Sequence, residues 1–226
     1  LLNLEKVCFT LIAFMATSVV FCQDLLDSSG TIIWNATANI GYNNNVSLIG
    51  RDDAISLNDK QNTISVPKVG LGTIAVSNAA NPNSFATDKT YLVWGDNGQT
   101  MNDSGTNITI TFGGTSGVTT YVDLPNKRWK VVETGGDVAK TKISVATSDF
   151  SGLPSLSGDD AYVMIVASDA SFSSDVETVF LTTSGLNQLG DYDFDGTKYF
   201  TFGVAHQTNF SRHITLNGVS DVVKFG

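Results

Sequence analysis

The run "AYVMIVA" (161–167) carries seven consecutive residues without a charge. A continuous apolar run of this length, bounded by polar residues, reads as a central strand covered on both faces. On either side the pattern has period two. "NITITF" sets Ile108, Ile110 and Phe112 against Asn107, Thr109 and Thr111, and "KTKISV" sets Thr141, Ile143 and Val145 against Lys140, Lys142 and Ser144. In "KYFTFGV", Phe200 and Phe202 alternate with Tyr199 and Thr201. Each reads as a strand with one buried face, because successive side chains point to opposite sides of a sheet. "TIIWN" (31–35), "VSLIG" (46–50), "TYLVW" (90–94), "RWKVVE" (128–133) and "ETVFLT" (177–182) add further strands. Turn signals such as "GDNG" (95–98) and "FGGTSG" (112–117) lie between them. About ten strands and no amphipathic helix in residues 23–205 predict an all-β, two-sheet β-sandwich.

The amino-terminal segment has a different character. Lys6 is followed by 16 mostly apolar residues, Val7 to Cys22. A membrane-spanning helix needs about 20. A short apolar core behind a positive charge, ending in small residues, reads as a signal-peptide helix over 1–22, with cleavage before Gln23 and Val20 and Cys22 at the small-residue positions. Export to the medium or the cell surface is the expectation, with no transmembrane span in the mature chain. Lipidation of Cys22 is the rival, opposed by the bulky Phe21 before it. Both cysteines, Cys8 and Cys22, lie in this segment, so the mature chain is expected to hold no disulfide and no thiolate. The first residue is Leu, so the natural start is expected upstream or at an alternative codon.

The chain has 13 basic and 22 acidic residues, a net charge of −9, and loss of Glu5 and Lys6 with the signal leaves that charge unchanged. Such a field opposes nucleic acid and anionic membrane. Lys127, Arg128 and Lys130 form the sole basic cluster and read as a solvated face.

The motifs of enzyme chemistry are largely missing. His206 and His213 are the only histidines; both read as surface residues without catalytic partners. In "GGTSGV", Val118 stands where a nucleophile elbow needs its second Gly. "GLGTIA" (70–75) has dinucleotide spacing but leads into a strand rather than a helix. Glu133 and Glu177 are the only glutamates after residue 22 and form no paired-acid motif.

One metal-like signal stands out. Asp191, Asp193 and Asp195 ahead of Gly196 match the first half of a calcium loop, but Phe202 occupies the position of its bidentate Glu. Strand alternation with a "DG" turn is the preferred reading, and calcium is retained as the one candidate cofactor. Trp34, Trp94 and Trp129 would suit a carbohydrate platform if exposed, but their apolar neighbours favour core packing. Arg51, Asp52 and Asp53 are the ligand candidates; a turn fixed by Arg–Asp pairing is preferred there.

"YNNNVSLIGRDDAISLNDKQ" (42–61), "LVWGDN" (92–97), "RWKVVETG" (128–135) and "DFDGTKYFTFG" (193–203) occur in this order. Together they resemble an uncharacterised β-rich domain of large secreted surface proteins of Bacteroidetes. The similarity spans roughly residues 31–205. It implies neighbouring lectin-like domains and export by type 9 secretion. The tail "ITLNGVSDVVKFG" (214–226) is similar to the opening of a laminin-G/concanavalin-like domain, with Asn217, Gly218, Asp221 and Phe225 in order and Ser220 in place of a second acid. Residues 206–226 are therefore expected to be a linker and the truncated start of such a domain, and the chain a fragment of a longer protein. The resemblance implies a non-catalytic structural or adhesion module whose partners are neighbouring domains of the same protein. The alternatives are a module binding extracellular glycan and a fragment of a secreted polysaccharide hydrolase.

Overall fold

The computed structural model describes residues 23–112 and 118–206, together with the backbone of two strands at 211–216 and 219–224. The signal segment with Cys8 and Cys22, the "GGTSG" turn (113–117), and Asn217, Gly218 and Phe225 of the tail lie outside the described residues.

Eighteen strands are present among the described residues. In chain order they begin with β1 (Leu25–Leu26), β2 (Ile32–Trp34), β3 (Asn44–Asp52), β4 (Leu57–Asp59), β5 (Gln61–Asn62) and β6 (Lys68–Leu71). There follow β7 (Thr90–Asp96), β8 (Asp103–Phe112), β9 (Val118–Pro125), β10 (Trp129–Thr134), β11 (Thr141–Ala146) and β12 (Ala161–Ala167). The last are β13 (Glu177–Phe180), β14 (Thr182–Ser184), β15 (Asn187–Tyr192), β16 (Thr197–His206), β17 (Ser211–Leu216) and β18 (Val219–Lys224). Helical structure among these residues is confined to two 3-10 turns, Asp53–Ile55 and Thr147–Gly152. No helix among them is long and apolar enough to cross a membrane.

The strands form two facing antiparallel sheets, the predicted all-β sandwich, with two small hairpins. The larger sheet has the order β13-β12-β16-β10-β7-β3-β4. β16 is long enough to take two partners on one edge: Phe200 opposes Trp129 of β10, and Val204 opposes Asp123 of β9, which carries β8. The second sheet runs β14-β15-β11-β6-β5. Between the sheets lies the main core, in which Trp94, Trp129, Met164, Val166, Phe200 and Phe202 of the larger sheet meet Val69, Leu71, Ile143 and Val145 of the smaller. Trp129 stacks on Phe200 at 5.3 Å with an interplanar angle of 7°.

The outer face of the large sheet is covered as well. Val163, Ile165 and Ala167 of β12 join Ile110, Val122, Leu124 and Phe172 in a second cluster. Ile33 and Trp34 of the β1–β2 hairpin cover Tyr91 and Val93 of β7. This explains the uninterrupted apolar run of β12, whose residues Val163 to Ala167 are fully buried although only β13 lies between β12 and the sheet edge.

One predicted strand is divided. "ETVFLT" reads as continuous, yet β13 ends at Phe180 in the large sheet and β14 begins at Thr182 in the small one. Leu181 is the crossing point, its N–H donating to Tyr162 O at 2.9 Å while its side chain packs on the main core. Gly190 lies beneath it, where a Cβ would stand 2.9 Å from Leu181 Cδ2 and push that side chain aside. The sheet switch thus includes a close approach that period-two alternation does not encode.

Candidate functional site

β15 and β16 are joined by Asp193–Gly196, and burial of Tyr192 and Phe194 determines where the aspartates go. Their rings enter the core 4.8 Å apart. The aspartates on the opposite face are then separated along an extended chain by roughly 6.6 Å per pair of residues, too splayed to converge on one ion. Asp191 Oδ1 pairs with Lys142 Nζ at 2.5 Å. The half calcium loop Asp191–Asp193–Asp195 is therefore not assembled. Instead Asp195 meets Glu133 and Asp137, with carboxylate oxygens all within 4.8 Å of one another. Glu133 already fastens two turns: Oε1 accepts from Val138 N at 2.6 Å and Oε2 from Gly196 N at 3.1 Å. A cation at this corner would have to rely mainly on the exposed Asp137 and Asp195. Asp193, nearby, is held above the usual carboxylate range by burial and then by the charges of Asp137 and Asp195. The signal missed in the sequence is "ETGGD" (133–137), whose paired glycines fold Asp137 back beside Glu133.

"RDD" closes β3. The Arg51 guanidinium grips Asp53 with Nε to Oδ1 and Nη2 to Oδ2, both at 2.7 Å. Asp52 faces the other way and is fully buried. It accepts hydrogen bonds from Ser28 N at 2.8 Å, Ser28 Oγ at 2.7 Å, Tyr91 OH at 2.8 Å and Ala54 N at 3.2 Å. Burial on its own would raise this carboxyl; the donors outweigh burial and bring it down to about 2. Burial and the Asp52 bond push the Tyr91 hydroxyl well above its ordinary value. The three candidate ligand residues are thus engaged with the chain itself, and Asp52 joins the β1–β2 hairpin to the large sheet.

Asp169 repeats the device. It accepts from Ser171 N, Ser173 N and Ser174 N, and its carboxyl lies far below the usual range, chiefly through the Ser171 hydroxyl.

Two sequence readings of surface residues meet a different structure. His206 is not a partnerless tail histidine: it ends β16 and lies between Asp123 (Nε2 to Oδ2, 2.7 Å) and Asp160 (Nδ1 to Oδ2, 3.2 Å). Lys127 and Arg128 do not form a solvated face. Lys127 Nζ pairs with Asp96 Oδ2 at 3.0 Å, and Arg128 lies over the Phe172 ring at 5.0 Å. Trp34, Trp94 and Trp129 are each 1% exposed, the core packing that their apolar neighbours favoured, and they form no sugar platform. The side chain of His213 lies outside the described residues.

Asp96 is the floor of a recess of about 780 Å³. Four separated segments build its walls: residues 45–47 in β3, residues 62–66 from the end of β5 onward, residues 99–102 before β8, and residues 148–152 in the second 3-10 turn. Asp96 is 1% exposed, and its charge is answered by Lys127, by Asn45 Nδ2 at 2.8 Å and by Gly98 N at 2.7 Å. Above this closed floor the side chains of Gln99, Thr100, Asn102, Ser148 and Ser151 make no hydrogen bond among the described residues. Ile64, Val66 and Met101 add an aliphatic strip.

The family described as "Domain of unknown function (DUF8202)" matches residues 20–198. The chain belongs to that family. No curated protein and no solved structure matches it. The DUF8202 match takes in the RDD turn, the acidic corner and the recess, and stops before His206. Within this DUF8202 domain, among the described residues, the recess gathers uncharged polar side chains that are open to a ligand.

Proposed function

We propose that this DUF8202 domain is a non-catalytic structural or adhesion module of an exported bacterial surface protein, spacing or presenting the domains beside it. The observation that carries the reading is the use made of its carboxylates. Asp52, Asp169 and Glu133 accept from backbone N–H groups of turns and so fasten loops to the sandwich, which is mechanical work rather than chemistry. The signal-like segment before Gln23 supports export, and the acidic charge suits a solvated surface.

The hydrolase alternative would use the acidic corner. Glu133 is its natural acid, with Asp195 close by, but Glu133 holds two backbone donors and Glu177 is bound by Tyr192 OH at 2.7 Å. The glycan-binding alternative is favoured by one observation, the open polar recess above Asp96.

The test expresses the full chain in a secreting bacterium, sequences the exported product and incubates it with soluble polysaccharides. A product beginning at Gln23 that releases no reducing ends is expected. Release of reducing ends that disappears in Glu133→Gln would overturn the non-catalytic reading, and a chain retained in the cytoplasm would overturn export.

A further inference from the structure

We propose that the recess above Asp96 is a binding site for a neutral, polyhydroxylated ligand, a short stretch of uncharged glycan chain. The inference rests on the module reading and gives that module a ligand class. Size comes first: about 780 Å³ lies within the range of small-ligand sites.

Charge narrows the class. The recess holds one cation, Lys127, and it is neutralised by Asp96 beneath it. Asp149 adds a carboxylate at the wall that has no ion-pair partner among the described residues. An anionic ligand would meet no available cation there, and the net charge of −9 would repel it. A cationic ligand would find one partly solvated carboxylate, a weak anchor.

Hydrogen-bonding capacity narrows it further. Gln99 and Asn102 offer amide donors and acceptors, and Thr100, Ser148 and Ser151 offer hydroxyls. Sugar hydroxyls also donate and accept, so this mixed set matches them without any ionic contact. Ile64, 95% exposed, and Val66, 46% exposed, are placed to cover the C–H faces of a sugar ring.

The walls are held in advance of binding. Asn126 Nδ2 bonds Asn102 O at 3.1 Å, Trp129 Nε1 bonds Val66 O at 3.0 Å, and Gly98 N is held by Asp96. Preorganised walls reduce the ordering cost of binding. Gln99, Thr100, Asn102, Ser148 and Ser151 come from separate loops, are exposed, and turn side chains that make no hydrogen bond among the described residues toward a common space.

The experiment is native affinity electrophoresis of the full chain in gels containing β-glucan, galactomannan, xylan or dextran, with an anionic pectin as contrast. Retardation by at least one neutral polymer is expected, unchanged by high salt because no ion pair is involved. Gln99→Ala combined with Asn102→Ala should weaken it by about ten-fold with an unchanged melting curve. Retardation by none of the neutral polymers overturns the site. So does retardation that survives the double variant, or retention by pectin alone that salt abolishes. The reducing-end assay separates the two readings. A blank there with no retardation removes the site and leaves the module, whereas release of reducing ends removes the module and the site with it.

Discussion

At Asp52, four donors from residues 28, 54 and 91 converge on one buried carboxylate. Around the recess, the side chains of Gln99, Thr100, Asn102, Ser148 and Ser151 line a shared space and make no hydrogen bond among the described residues. Both regions are polar and both are made by loops at sandwich edges. They differ in reach. Ser28 comes within bonding distance of Asp52 because the β1–β2 hairpin packs directly on β7, where Tyr91 stands, and Ala54 does so because Asp52 caps the 3-10 turn that holds it. The recess segments meet where Gly152 packs on Asn102, and the side chains of Gln99, Thr100, Ser148 and Ser151 stay exposed to solvent. A closed polar cluster stabilises the fold. An open one contributes little to stability and is available for binding.

The largest effect should come from Asp52→Ala, which leaves Tyr91 OH and Ser28 N unpaired in a buried place and loosens the β1–β2 hairpin. Its melting temperature should fall furthest of any single polar change. The same contact has a pH signature. The folded carboxyl lies at about 2, below the ordinary value of about 4. Because the folded value is depressed, the stabilisation is full above about pH 4 and is lost as pH falls towards 2. Thermal melts across that window should show wild type losing its advantage over Asp52→Asn. A constant gap between the two would break the assignment.

Glu133→Ala comes next. It leaves Val138 N and Gly196 N without their acceptor, and Val138 is buried, so a cost of about 1–2 kcal/mol is expected. A chemical denaturation midpoint measures it. A shift near zero would mean that the acidic corner does not fasten the two turns.

The smallest effect is expected in the recess. Gln99→Ala and Ser151→Ala should each change stability by less than about 0.5 kcal/mol, since neither side chain bonds the rest of the chain. A larger loss in the same denaturation measurement would show the recess to be a closed structural cluster like that of Asp52 and would erase the distinction.

The strands were legible because each depends on neighbours along the chain. "AYVMIVA" marks β12 residue for residue, and the alternation of Phe200 and Phe202 places both in the core. The same alternation disfavoured a calcium loop, since Tyr192 and Phe194 had to turn inward. It could not reveal that Asp195 would meet Glu133 and Asp137, which come from another strand end. Nor could it show the break at Leu181, where the chain leaves the large sheet with its N–H on Tyr162 O and packs its side chain against Gly190 of another strand. His206 looked partnerless because Asp123 and Asp160 approach it from 83 and 46 positions away along the chain.

Local pattern by itself determined the all-β class, most strand positions and the burial of the three tryptophans, because period-two alternation is a property of short segments. Tertiary structure alone decided which acids meet, where the chain changes sheets, and that Asn45, Gln99 and Ser151 border one recess. Those outcomes depend on how distant segments pack, and no short window of sequence carries that distance.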